Sequence, residues 1–237
     1  TKRRVSRGYA LLYHAYELQR SWLNSASAFA SIGVEMLNNP ANPFNYVGPM
    51  GYMNIGPVAA SALEVFAHAT ASYGKPAWNL EAIDVDGKPV AIVESTVVNR
   101  PFGDLKAFHR EDLPEDAPRL LVVAPMSGHF ATLLRGTVER MVESSEVYIT
   151  DWHDARDIPL SEGRFDLDDY IDLIIEFLRE IHDRRDGRAA HMIAVCQPSV
   201  PAFAATAVMN GAKDKASPKT LTMMGGPIDT RGSPTSV

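Results

Sequence analysis

The sequence predicts an α/β fold with a mostly parallel central sheet, an antiparallel hairpin before it and helices at the N-terminal end. Three patterns support this prediction: helical spacing of apolar residues at the start, a tight turn signal in the middle, and four continuous apolar runs that alternate with helical segments. Continuous apolar runs are typical of parallel strands that are buried on both faces. A strand, a helix and a second strand in succession form a right-handed crossover.

The N-terminal part of the chain, residues 1–75, is predicted to be a helical segment. Between residues 9 and 37 the apolar side chains recur at mixed helical spacings, which indicates one long or two short amphipathic helices. Residues 38–57 are rich in Asn, Pro and Gly and are predicted to form a loop, and a further helix runs through Leu63. The apolar face of segment 9–37 either packs on the rest of the protein or meets a lipid-like or polymer surface.

Residues 76–237 are assigned to an α/β domain, which we expect to continue beyond the last residue because the sequence stops straight after a strand and turn. Asp86 and Gly87 favour a two-residue turn between strands at 82–85 and 90–98. A further strand is centred on residues 105–108, and the predicted parallel strands are 120–124, 147–150, 191–195 and 220–224. The predicted helices between them are 133–142, 167–181 and 202–209, with Asp166 as the cap of the second.

Composition and charge exclude several function classes. A formal net charge of −6 argues against a nucleic-acid partner, because phosphate binding depends on clustered Lys and Arg. A single cysteine allows neither an internal disulfide nor a cysteine-based zinc site, which is typical of a reducing compartment, and no secretory signal or membrane-length apolar stretch is found. We therefore expect a cytoplasmic protein with no integral membrane segment. No histidine pair at metal spacing and no Gly-rich phosphate loop is found, so we expect no metal and no cofactor.

The only cysteine, Cys196, stands where an apolar run passes into a predicted helix. An α/β-hydrolase carries its nucleophile on such a sharp strand-to-helix turn, and the backbone amide of the next residue, here Gln197, donates to the oxyanion hole. Ala194 and Pro198 occupy the positions of the usual glycines, and a thiol replaces the usual hydroxyl. Two interpretations follow: Cys196 is a catalytic nucleophile, or it is a buried and inert thiol.

The loop after the first apolar run provides a second candidate for the oxyanion hole. Ser127 and Gly128 stand where an α/β-hydrolase supplies its second amide, and a glycine lets the backbone approach the substrate. The alternative is an ordinary loop in which Ser127 caps a helix. His129 and Trp152 also follow apolar runs, at the sheet edge where ligands bind in parallel sheets, and are candidates for the substrate pocket.

The sequence offers no complete set of acid and base. His129 and His153 are candidate bases, with Asp151 or Asp154 as the carboxylate that orients them. However, hydrolases of this fold place the acid and the histidine after the nucleophile, and no histidine follows Cys196. The acid and the base expected in that order are therefore absent from this chain.

Several segments in a common order resemble the intracellular poly(3-hydroxybutyrate) depolymerases. They are residues 12–20 (LYHAYELQR), 121–129 (LVVAPMSGH), 148–152 (YITDW), 167–170 (LDDY), 193–198 (IAVCQP) and 224–229 (MGGPID). The resemblance covers nearly the whole chain and implies an α/β-hydrolase with a cysteine nucleophile, carried here onto Cys196. It also implies a C-terminal Asp and His, so we expect this segment alone to be inactive and the complete enzyme to degrade cytoplasmic polyester granules.

Two other functions fit parts of the same pattern. A polyhydroxyalkanoate synthase resembles the depolymerases in fold and in its cysteine, but it carries glycines on both sides of the nucleophile, where Ala194 and Pro198 stand here. A non-catalytic granule-associated protein would bind through segment 9–37 and would leave Cys196 unreactive. The partner in each case is a polyester chain or the granule surface.

Overall fold

The computed structural model describes residues 7–39, 41, 55–71, 73–126, 130–184, 187–229 and 231. The chain divides into two compact units, Thr1–Gly74 and Lys75–Val237. In its described residues the first unit contains two helices, α1 (Arg7–Asn38) and α2 (Ile55–Thr70). The N-terminal segment is thus one long helix over the range for which one or two were predicted. The loop was predicted to extend to residue 57, but residues 55–57 belong to α2. Most of the other residues of this predicted loop lie outside the described residues.

Small side chains bring α1 and α2 together. Ala30, Ala60 and Ala67 are buried, and the Ser27 hydroxyl donates a hydrogen bond to the backbone oxygen of Ala67 at 2.8 Å. Larger apolar side chains of α1, among them Trp22, remain exposed. The two helices therefore pack closely through small alanine and serine side chains. The bulky apolar side chains of α1 stay exposed.

The second unit is built on a seven-stranded sheet with the order β1-β2-β3-β5-β4-β6-β7. Its strands are β1 (Ala82–Val85), β2 (Lys88–Val98), β3 (Gly103–Arg110), β4 (Arg119–Val123), β5 (Glu146–Trp152), β6 (His191–Val195) and β7 (Leu221–Met224). β4, β5, β6 and β7 run parallel, whereas β1, β2 and β3 are joined in antiparallel pairs. The predicted fold class, a mostly parallel sheet with an antiparallel N-terminal hairpin and preceding helices, is confirmed.

The hairpin between β1 and β2 forms as its turn residues predict. Asp86 and Gly87 have φ of 53° and 79°, the positive values that a type I′ turn requires at both central positions. The Asp84 carboxylate accepts a hydrogen bond from the Gly87 amide at 2.8 Å. Because Val85 pairs with Lys88, β2 begins two residues before the predicted strand.

Three α-helices connect the parallel strands: α3 (Arg135–Met141), α4 (Leu167–Arg184) and α5 (Ser199–Gly211). The helix predicted at 133–142 is a short 3-10 helix, Ala131–Leu134, followed by α3. At the start of α4 the Asp166 carboxylate accepts from the Asp168 amide at 3.1 Å, and the Asp169 carboxylate accepts from the Asp166 amide at 2.8 Å. The predicted cap is therefore present and reciprocal.

The core lies around the central strands. Every residue of β4 and β5 is buried, which is the pattern of strands covered on both faces. Met223 and Met224 of β7 are exposed, although the sequence predicted a strand of the same buried kind, because β7 is the last strand in the described order of the sheet. Within the described part of the chain, no helix has both the length and the apolar character needed to cross a bilayer.

Candidate active site

Cys196 stands on a strained turn between β6 and α5. Its φ is +68°, a left-handed conformation that residues other than Gly, Asn and Asp seldom adopt. The thiol is exposed, which removes the interpretation of a buried cysteine. Pro198 directly precedes α5, and its carbonyl accepts a hydrogen bond from the Ala202 amide at 2.9 Å. Together with the sheet, this strand-to-helix turn has an α/β-hydrolase-like architecture.

Hydrogen bonds and a close glycine contact hold this turn. The Cys196 amide donates to the backbone oxygen of Met224 at 2.8 Å, and the Cys196 carbonyl accepts from the Ser199 amide at 3.1 Å. A Cβ added to Gly226 would lie 2.1 Å from the Cβ of Ser199 and 2.8 Å from the Cys196 carbonyl oxygen. Only glycine therefore fits at 226. The sequence analysis placed Gly226 just after the fourth parallel strand but gave it no role. The Gly-Gly-Pro sequence at residues 225–227 was the only local sign of a close backbone contact there.

Gln197 links the turn to the exit of β4. β4 and β6 are parallel neighbours, with Val123 opposite Ala194, so the carboxyl ends of both strands lie at the same edge of the sheet. The Gln197 side-chain oxygen accepts from the Met126 amide at 3.4 Å. The backbone amide of Gln197 has no acceptor among the described residues. An unpaired amide next to the Cys196 thiol is the arrangement that an oxyanion hole needs.

The other candidates from this loop lie outside the described residues. These are Ser127 and Gly128, predicted as oxyanion donors, and His129, predicted in the substrate pocket. Their roles stay predictions.

Trp152 is an interior side chain at the end of β5. It is 3% exposed, and its ring contacts Tyr170 edge-on at 4.7 Å between centroids. The indole N–H donates to the backbone oxygen of Ala124 at 2.7 Å, and the Ala124 amide donates to the Thr150 hydroxyl at 2.9 Å. These contacts give Trp152 a role in holding backbone, and its place in the substrate pocket stays a prediction.

Among the described residues of the second unit, no histidine is hydrogen-bonded to Cys196. His153 contacts the Pro101 carbonyl at 2.9 Å and the Asp104 carboxylate at 3.3 Å, on the side of β5 that faces β3. β6 lies two strands away on the other side of β5, about 10 Å at ordinary strand spacing. His191 is at the start of β6, where it contacts the Thr220 hydroxyl at 2.8 Å. This placement does not support His153 as the base.

Asp151, considered above as a carboxylate that orients a histidine, is instead paired with Lys75. The Asp151 side chain is fully buried and its Oδ2 accepts from the Lys75 ammonium. Its second oxygen, Oδ1, is buried without a hydrogen-bond partner among the described residues. Asp154 is occupied by Arg156. Neither carboxylate is bonded to a histidine in the described part of the structure.

No protein-family model and no curated protein matches the chain. Among solved structures, naproxen esterase (carboxylesterase NP) from Bacillus subtilis is 18% identical over 56% of this chain and 42% of its own, with a TM-score of 0.39. LAE6, an α/β hydrolase enzyme from the metagenome of Lake Arreo, Spain, is 12% identical over 72% of this chain and 51% of its own, with a TM-score of 0.44. ESTFA in its Fe-lacking apo form is 13% identical over 86% of this chain and 60% of its own, with a TM-score of 0.42. The chain thus spans between 42% and 60% of the length of these three structures.

The site combines an accessible thiol, an amide without an acceptor among the described residues, and a turn held by backbone hydrogen bonds. A thiolate at Cys196 could attack an electrophilic carbon from the open edge of the sheet, and the Gln197 amide could stabilise negative charge on an adjacent oxygen. These features suit acyl transfer. They leave the activation of the thiol to a base, because a free cysteine is mostly protonated at neutral pH.

Proposed function

We propose that the protein is a carboxylic ester hydrolase with Cys196 as its nucleophile, and that its substrate is the poly(3-hydroxybutyrate) of cytoplasmic storage granules. The observation that carries the proposal is the conformation of Cys196: an exposed thiol at φ +68° between β6 and α5. Strain of this kind persists only where the surrounding structure enforces it, and it is concentrated at functional sites. The substrate class comes from the resemblance of the sequence segments described above.

The reaction begins with attack of the Cys196 thiolate on an ester carbonyl of the polymer. The carbon–sulfur bond forms, the ester carbon–oxygen bond breaks, and the shorter chain leaves with a hydroxyl end after taking up a proton. Water then attacks the thioester, which releases the acid end and restores the thiol. In both steps the Gln197 amide and an amide from Ser127 or Gly128 stabilise the oxyanion, and each such donor contributes about 3 kcal/mol.

The general base that would activate Cys196 is proposed from the resemblance alone. The resemblance to the depolymerases implies an Asp and a His located after the nucleophile in chain order, and a paired His is needed to raise the thiolate fraction of Cys196. We therefore propose that residues 1–237 alone are inactive and that the complete protein is active.

The proposed partner is the granule surface. A neutral polyester has no charge for basic residues to recognise, which agrees with the formal net charge of −6. The exposed apolar side chains of α1, such as Trp22 and Phe29, are suited to an apolar surface. We propose that α1 contributes to granule binding.

The test uses the complete protein with amorphous poly(3-hydroxybutyrate) granules and measures the release of soluble 3-hydroxybutyrate oligomers. We expect turnover by the wild type, a thioester adduct on Cys196 by mass spectrometry, and no turnover by Cys196→Ala. Undiminished turnover by Cys196→Ala would refute the assignment of Cys196 as the nucleophile. Hydrolysis of short esters without any release from granules would refute poly(3-hydroxybutyrate) as the substrate but would still agree with an esterase.

Two further assays separate the alternatives. Incubation with 3-hydroxybutyryl-CoA distinguishes a synthase, which would release CoA and lengthen the polymer, whereas the proposed depolymerase does neither. The Cys196→Ala variant distinguishes a non-catalytic granule protein. In such a protein the variant would bind granules as the wild type does, and granule turnover would be the same with and without Cys196→Ala.

A further inference from the structure

The exit of β4 is held by side chains where backbone pairing stops. The regular pairing of β4 with β5 ends at Val122, opposite Ile149. Two residues later the Ala124 amide donates to the Thr150 hydroxyl at 2.9 Å, and the Ala124 carbonyl accepts from the Trp152 indole at 2.7 Å. Both backbone groups of Ala124 are thus bonded to side chains of β5. We call Thr150 and Trp152 the Ala124 clamp.

The clamp is completely inside the protein. Ala124 and Thr150 have no exposed surface, and Trp152 is 3% exposed. Buried backbone groups require partners, and here the partners allow the chain to leave the sheet without losing its hydrogen bonds. The direction in which the chain leaves at Ala124 is therefore set by two side chains of fixed geometry.

The same stretch is bonded on its other side by the nucleophile turn. Two residues beyond Ala124, the Met126 amide donates to the side-chain oxygen of Gln197 at 3.4 Å. Gln197 also provides the amide next to Cys196 that has no acceptor in the described part of the chain. The backbone from Ala124 to Met126 is thus linked to β5 by the clamp and to the Cys196 turn by Gln197.

We infer that Thr150 and Trp152 are positioning residues for acyl transfer. They fix the backbone of Ala124, and with it the hydrogen bond from the Met126 amide to the side-chain oxygen of Gln197. That bond in turn holds the residue whose backbone amide is the proposed oxyanion donor. This inference rests on the proposed function. An oxyanion donor must lie within a few tenths of an ångström of its optimum, and a displacement of 1 Å costs about a hundredfold in rate. Neither residue needs to touch the substrate for this effect.

Trp78 provides a matched control for Trp152. It is also 3% exposed, and it also contacts one aromatic ring edge-on, that of Phe108 at 4.9 Å. Its indole nitrogen, however, has no hydrogen-bond partner among the described residues. Trp78→Phe and Trp152→Phe therefore make the same chemical change in similar surroundings, and only Trp152→Phe breaks a hydrogen bond.

The experiment compares two rates in the complete protein. Hydrolysis of a soluble 3-hydroxybutyrate ester passes through an oxyanion, whereas alkylation of Cys196 by iodoacetamide does not. We expect Trp152→Phe to lower kcat about tenfold or more with KM unchanged and with alkylation within about twofold of wild type. Trp78→Phe should leave both rates unchanged. Thr150→Val should behave like Trp152→Phe, and Thr150→Ser, which keeps the hydroxyl, should restore kcat.

Each other outcome overturns the inference. If kcat of Trp152→Phe and Thr150→Val stays within about twofold of wild type, the clamp does not position the site. If kcat and alkylation fall together, these residues support the fold or the Cys196 turn instead. The Thr150 pair decides the matter if Trp152→Phe does not fold. Failure of the proposed function is separate and visible first, because Cys196→Ala would then hydrolyse the same ester as fast as the wild type.

Discussion

Gly226 lies so close to Ser199 that no side chain fits at residue 226. A Cβ on Gly226 would come within 2.1 Å of both the Cβ and the Oγ of Ser199, which is fully buried at the start of α5. The two residues join the loop after β7 to the first turn of the helix that follows Cys196. The conformation of the Cys196 turn therefore depends on a glycine thirty positions further along the chain.

Gly226→Ala is expected to destabilise the fold by about 2 kcal/mol, because an added methyl group cannot fit without moving α5 or the Cys196 carbonyl. The measurement is urea unfolding, combined with the alkylation rate of Cys196, which should change as well. The control is Gly136→Ala, where an added Cβ meets no atom within 4 Å. Addition of Ser199→Gly should recover part of the loss. Full additivity of the two changes would contradict direct contact.

Cys196→Gly is expected to stabilise the fold by about 1 kcal/mol while abolishing activity, because glycine adopts φ near +68° without strain. Cys196→Ala removes the same thiol but keeps the Cβ, so it should show no such gain. Lys213→Gly tests the same effect away from the site, at another residue with positive φ. The free energies of unfolding come from urea titrations. Equal stability of the Gly and Ala variants at 196 would show that this turn is unstrained.

Lys75→Met is expected to cost about 3 kcal/mol, because it leaves the buried Asp151 carboxylate without its cation. The double variant Lys75→Met/Asp151→Asn should recover much of the loss, since the amide carries no charge. Arg140→Met, which breaks an exposed pair with Glu143, serves as the control and should leave stability unchanged. A loss for Lys75→Met no larger than for Arg140→Met would contradict a stabilising role for the pair of Lys75 and Asp151.

Tyr170→Phe is expected to become increasingly stabilising at high pH. Burial raises the pKa of the Tyr170 hydroxyl, which has no hydrogen-bond partner among the described residues. A raised folded pKa gives stability that is complete below the unfolded pKa, near 10, and that is lost as the pH rises toward the folded value. The variant lacks this loss. Its advantage over wild type should be about 1.4 kcal/mol greater at pH 11 than at pH 7, measured by urea unfolding. A pH-independent difference would contradict the assignment.

Local signals predicted several elements with accurate bounds. β6 covers the predicted residues, Asp86 and Gly87 form the predicted turn, and Asp166 caps α4 as predicted. Each of these depends on interactions between residues close in sequence, or on a run of apolar side chains. The ends of β5 were not predictable in this way, because β5 extends to Trp152 by pairing with Gly103 of β3.

The sequence by itself determined the fold class, the place of Cys196 after a central strand, and the candidate amide of Gln197, because apolar periodicity and turn residues report on local backbone. Only the tertiary structure decided what surrounds them. In the folded protein the Cys196 thiol is exposed, Asp151 pairs with Lys75, and the Trp152 indole donates a hydrogen bond to the carbonyl of Ala124. These contacts join residues that are far apart in the chain, and the order of strands in the sheet creates them. No local pattern carries that order, because it is fixed by the burial of all strands together.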